Sequence, residues 1–185
     1  MSVAVLQAVA PPGASARPMP SFAPVSALLE QLRDVVTLLP PSLYLARPAA
    51  RVSGSVGEHV RHCLDHVSAL VGAIGGEPLS YDRRRRGTTV ETEPVTAVSE
   101  IERLLYQLDR LTVTDRHVTL SAVVDAGLPA LTMQSTIARE IAFVQLHAVH
   151  HCAIIAVLLE WQGCRVPDGF GLAPSTTRAR HAGRQ

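Results

Sequence analysis

Thr136 to Gly163 reads TIAREIAFVQLHAVHHCAIIAVLLEWQG. Its apolar residues Ile137, Ile141, Val144, Ala148, Ile155 and Leu158 recur at intervals of three, four and seven, the spacing of one face of an α-helix. Gly163 follows as a stop, because glycine readily takes the left-handed conformation in which helices end. About 27 residues at 1.5 Å each make a rod of roughly 40 Å, long for a small domain. Within it stand His147, His150 and His151. His147 and His151 are four apart, so they share a face, and they lie among the apolar residues rather than away from them. Two imidazoles on the buried side of a central helix need partners, since an unpaired buried polar group is costly. A metal ion is the partner their chemistry suggests.

Working back along the chain, the clearest helix start is Ser55-Val56-Gly57-Glu58, a capping box in which serine and glutamate satisfy each other's backbone amides. Val60, Cys63, Leu64, Val67, Leu70 and Val71 continue an apolar stripe to Gly75-Gly76. His59, His62 and His66 lie on this helix; His62 borders the stripe and is the one best placed to face inward. An earlier helix is expected from Ser26 to Leu39, with Leu28, Leu29, Leu32, Val35, Val36 and Leu39 on one side and Pro40-Pro41 as its stop. A third runs from Pro94 to about Leu111, with Val98, Ile101, Leu105 and Leu108 aligned. His117–Val124 and Ala130–Gln134 alternate apolar and polar around Asp125-Ala126-Gly127, the pattern of a short hairpin. The expected fold is all-α: a four-helix bundle over residues 25–176, with a long crossover between its second and third helices and a small β-hairpin between its third and fourth. Residues 1–24, rich in Pro and Ala with almost no charge, and residues 177–185 read as flexible tails.

The chain has 185 residues, 47% of them hydrophobic, and a formal net charge of +1. That is one domain with enough apolar content for a core, and no electrostatic case for nucleic acid or an anionic membrane. All 17 basic residues are arginine, which excludes lysine Schiff-base chemistry. Cys63, Cys152 and Cys164 form a sparse, odd set that suits a reducing cytoplasm rather than a disulfide framework. The first residues lack a basic segment, so no signal peptide is expected. No run of about 20 residues is both apolar and free of charge or histidine, so no membrane span is expected.

Three imidazoles converging within about 2.1 Å of one point leave coordination positions open, which distinguishes catalytic from structural metal sites. The candidate set is His62, His147 and His151. An isolated H-x-x-x-H pair more often binds nothing, but a second histidine-bearing helix on the apolar side brings the two readings level. His59, His66 and His150 read as surface or supporting groups, with His150 or Glu58 candidates for orienting a ligand. Cys63 and Cys152 are offset by about 100° from the neighbouring candidate ligands and read as small hydrophobes. The run Arg83–Arg86 is either a solvated loop or a clamp for a carboxylate or phosphate.

Three stretches carry a resemblance to a known family. Ser55-Val56-Gly57-Glu58-His59-Val60-Arg61-His62 is similar to the second-helix entry of the DinB/YfiT-like metalloenzymes, and His147-Ala148-Val149-His150-His151 to their fourth-helix H-x-x-x-H. Tyr81-Asp82 with Arg84 and Arg86, and Phe170-Gly171-Leu172-Ala173-Pro174-Ser175-Thr176, look like segments of one stand-alone bacterial branch. The resemblance covers about residues 26–176. It implies an up-down-down-up bundle and a divalent ion (zinc, nickel or iron) on His62, His147 and His151. Family activities include thiol transfer and thiol-dependent isomerisation, so a low-molecular-weight thiol is an implied partner, and a homodimer is a further expectation. The family's sulfoxide synthases carry an extra catalytic domain, which these 185 residues are not expected to include, so that activity is not the expected one. Tyr81, Arg84 and Arg86 are the expected substrate-binding residues, forming a wall over the metal that would hold a small anionic substrate. The competing expectation is a non-catalytic, metal-stapled bundle that binds a partner or responds to stress.

Overall fold

Ser55 Oγ accepts from the Glu58 amide at 3.2 Å and Glu58 Oε2 accepts from the Ser55 amide at 2.7 Å, so the capping box forms as read. From it the chain enters α3 (Val56–Ile74). The computed structural model describes residues 20–47, 53–83 and 86–183. Before α3 come α1 (Ala23–Thr37) and α2 (Pro41–Leu45); after it come α4 (Thr89–Thr92), α5 (Pro94–Arg110), β1 (His117–Ala122), β2 (Leu131–Thr136), α6 (Ile137–Trp161) and α7 (Pro174–Ala182). The protein is mostly helical, with one small antiparallel sheet in which His117 pairs with Thr136 and Ala122 with Leu131.

The four long helices pack in a ring: α3 against α5 and α6, and α1 against the same two. All six residues of the periodic face of α6 are buried, as are Leu28, Leu29, Leu32, Val35 and Val36 of α1. Thr136 caps α6, its side chain accepting from the Arg139 amide. By length and composition α6 is apolar enough to cross a membrane; here its apolar face lies against α1 and α3.

Several boundaries differ from expectation for identifiable reasons. α1 begins before Ser26 because Pro24 occupies its first turn, where the missing N–H costs nothing, and Phe22 ahead of it is buried. Of the tail assigned to residues 1–24, residues 1–19 lie outside the described residues. The link after Pro40 contains α2, whose Tyr44 is fully buried and donates to the Val90 carbonyl at 2.7 Å. The polar loop 77–93 contains α4, tied down by Arg61, which is paired with Glu91 and Asp65. Residues 177–182, expected as tail, continue α7: Pro174 opens it and the Thr177 amide bonds the Ala173 carbonyl at 3.0 Å.

The crossover after α3 is pinned rather than draped. Arg116 donates to the Ala73 and Ile74 carbonyls at the end of α3, Leu79 bridges Leu120 of β1, and the Val123 amide donates to Asp82. These ties fix Tyr81 beside α6.

Candidate metal centre

His62 on α3 faces His147 and His151 on α6. The Nε2 atoms of His62 and His147 are 2.9 Å apart, and those of His147 and His151 are 3.2 Å apart. One donor nitrogen from each of the three lies within 4.8 Å of the others. Two nitrogens each roughly 2.1 Å from one ion stand about 3.0 Å apart at a right angle and about 3.4 Å apart at the tetrahedral angle. The His62–His147 and His147–His151 separations match that spacing, the donors suit a divalent ion in chemistry, and the three histidines form a group that could hold a metal. His62 is buried, and His147 and His151 are half-buried, so the donors are reachable from one side.

Burial first, and then the neighbouring imidazoles with His147 foremost, pushes His151 down to about 3. It stands as neutral imidazole at neutral pH, the form that ligates. Burial likewise lowers His59.

Two histidines read as surface groups belong to the cluster. His66 is buried; its ring stacks on His147 (4.2 Å, 24°) and on Tyr81 (4.9 Å, 4°), and its Nδ1 bonds the His62 carbonyl. His59 Nδ1 lies 3.0 Å from His151 Nδ1. The signal available in the sequence was their spacing, since 59, 62 and 66 fall on one side of α3. Glu58 does not orient a ligand: it closes the capping box and pairs with Arg47. His150 is exposed. Cys63 and Cys152 are fully buried in the core, as read.

Of the expected substrate residues, Tyr81 stands at the cluster, its ring against His66 and Phe143. Arg84 lies outside the described residues, and Arg86 is exposed in the turn before Gly87. Arg83 lines a cavity of about 900 Å³ with Arg61, Asp65, Ser68, Glu100 and Arg103, on a different face of α3 from His62. Among the described residues, Arg139 stands against the site's aromatic wall. Arg139 holds its guanidinium 5.1 Å above the Phe143 ring, and Phe143 stacks at 21° on His147. Arg139, Phe143, His147 and His151 recur every four residues, so one stripe of α6 carries a cation, an aromatic face and two imidazoles. Arg139 also pairs with Glu140, which is wholly buried and accepts from Tyr81 and Ser135 as well.

No protein-family model matches the chain, and no solved structure matches it. Among curated proteins, FK506-binding protein 5 of Rhizopus delemar is 33% identical over 102 residues, covering 53% of this chain and 26% of that protein. The match thus spans about a quarter of the fungal protein's length.

Proposed function

We propose that the chain is a divalent-metal-dependent enzyme of the DinB/YfiT-like kind, a four-helix bundle with His62, His147 and His151 as ligands and a small anionic molecule as substrate. The observation that carries the reading is the approach of the His62 and His147 Nε2 atoms to 2.9 Å from facing helices, with His151 alongside. A divalent ion held there would lower the pKa of a bound water or thiol to about 7 and so supply a nucleophile. The protein's own residues bind and orient. His62, buried on α3, holds the inner side of the site; Phe143 and Tyr81, stacked on His147 and His66, wall the site; and Arg139, more than half exposed, offers a guanidinium fork to a carboxylate. Arg139 is a candidate anchor beside Arg86, which is exposed in the turn before Gly87, and Arg84, which lies outside the described residues.

The competing reading, a metal-stapled module without catalysis, needs a closed coordination sphere. Of the fourth ligands it could draw on, Cys63 is held in the core, Glu58 in the capping box, and His59 on the Ser53 carbonyl. That favours the open sphere. The free state of Cys63, Cys152 and Cys164 fits a reducing compartment.

The deciding measurement is metal content of untagged protein. About one equivalent per chain, lost in His147→Ala, is expected; a trace amount that the substitution leaves unchanged would make the histidines core packing groups. Cobalt-substituted protein then separates the two readings. A visible spectrum that shifts when a small thiol is added reports an open sphere, and an inert one reports a closed, structural site.

A further inference from the structure

The histidine pair 59/151 links the Ser53 carbonyl to a lone pair through two hydrogen bonds. His59 Nε2 lies 3.1 Å from the Ser53 carbonyl oxygen, and its other nitrogen, Nδ1, lies 3.0 Å from His151 Nδ1. A carbonyl only accepts, so His59 Nε2 must carry a proton. In a neutral imidazole the other nitrogen is then a lone-pair acceptor. His59 Nδ1 accepts, and His151 Nδ1 must be the N–H that donates. That leaves His151 Nε2 with its lone pair, on the side where His147 Nε2 stands 3.2 Å away. The reverse order would need a doubly protonated His59, a full positive charge beside a point built to receive a cation.

The local backbone explains why Ser53 can serve. Gly54 has φ +98°, a left-handed conformation that turns the chain so that the Ser53 carbonyl points back over the first turn of α3, where His59 sits. The capping box holds the same turn from the other side through Ser55 and Glu58.

We propose that His59 is a positioning residue: through the Ser53 carbonyl it fixes His151 as the Nδ1–H tautomer and so presents His151 Nε2 to a divalent cation. This extends the metal reading of the triad and rests on it for its purpose, though the tautomer itself exists without metal. The relay runs from the α3 entry turn to the far ligand on α6, so the loop before α3 sets the ligand geometry of a helix it does not touch covalently. Groups that orient metal-bound histidines in this way typically matter by 10–100-fold in metal affinity.

The test uses untagged, metal-free full chain labelled with nitrogen-15. Long-range proton–nitrogen spectra report which ring nitrogen of each histidine is protonated. The expected result is His151 protonated on Nδ1 and His59 on Nε2; His151 protonated on Nε2 overturns the relay. Two variants follow. His59→Asn keeps an acceptor oxygen near the position of Nδ1 and should keep both the His151 tautomer and near-native zinc affinity. His59→Leu should release the tautomer and weaken zinc by 10–100-fold at unchanged stoichiometry. Equal zinc affinity in wild type and His59→Leu also overturns the proposal. If wild type binds no zinc, the metal reading fails, and the spectra of the metal-free protein still decide the tautomer.

Discussion

The Tyr81 hydroxyl donates to Glu140 Oε2 at 2.8 Å, and Glu140 is wholly buried. Burial first, then this hydrogen bond, raises the Tyr81 pKa and keeps the phenol protonated. The hydroxyl is thus committed to a buried carboxylate, and what Tyr81 turns toward the histidines is its ring face. Tyr81→Phe keeps the stack and removes one of the donors that Glu140 uses. A loss of roughly 1–3 kcal/mol is expected, the cost of under-satisfying a buried acceptor. Urea unfolding with an unchanged slope measures it, and a variant as stable as wild type would place Tyr81's hydroxyl outside the fold's balance.

Gly57 lies where three elements meet. A Cβ built there would stand 2.1 Å from the Glu91 carbonyl oxygen and 2.6 Å from the Tyr44 ring. Alanine inside a helix ordinarily gains up to about 1 kcal/mol over glycine, and Gly57 is the second residue of α3. The clash is with backbone, which cannot swing aside, so Gly57→Ala should instead destabilise by about 1–3 kcal/mol. Differential scanning calorimetry gives the sign directly, and a raised melting temperature would disprove the close approach.

Acid should weaken the metal-free fold in a defined window. Burial, then the neighbouring imidazoles, push His151 from its ordinary value of 6.5 down to about 3 in the fold. Between those values the unfolded chain binds the extra proton, so stability rises with pH there. Its contribution is complete above 6.5 and is lost as pH falls toward 3. Melting temperatures across that range should fall with acid, and His151→Gln should flatten part of the slope. A His151→Gln profile that parallels wild type would assign the acid sensitivity to other groups.

A ligand that binds only the folded chain adds stability by mass action, about 2.7 kcal/mol at 100 times its dissociation constant. Zinc at that excess should raise the melting temperature of wild type, and a chelator should reverse it. His62→Ala removes the buried donor on α3 and should abolish the increment even if the variant folds. An increment that survives in both His62→Ala and His147→Ala would point to a different set of ligands.

Much of this was legible from residues alone. α6 announced itself because its apolar period is strict and its ends carry Thr136 and Gly163; α3 did so through its capping box. The grouping of His62, His147 and His151 was legible because two of them share a helix face and the third borders an apolar stripe. What escaped depends on contacts remote in sequence. His66 and His59 look like surface residues until α6 is laid across α3. Arg139 reads as a helix-start charge until the four-residue ladder to Phe143 and His147 is built. α2 and α4 are too short for a periodic signal, and they form where Tyr44 and Glu91 are captured by α3.

Cys63 and Cys152 follow directly after His62 and His151 in sequence, yet both are 0% exposed. Burial raises the Cys152 thiol to about 12 and holds Cys63 well above its ordinary value. Neither is a thiolate at neutral pH, and it is the thiolate that reacts. An electrophile or peroxide entering the cluster therefore meets imidazoles and ring faces, not sulfur. The cluster thus offers no thiol of its own for mixed-disulfide exchange, and alkylating reagents should label Cys164 alone in the folded chain.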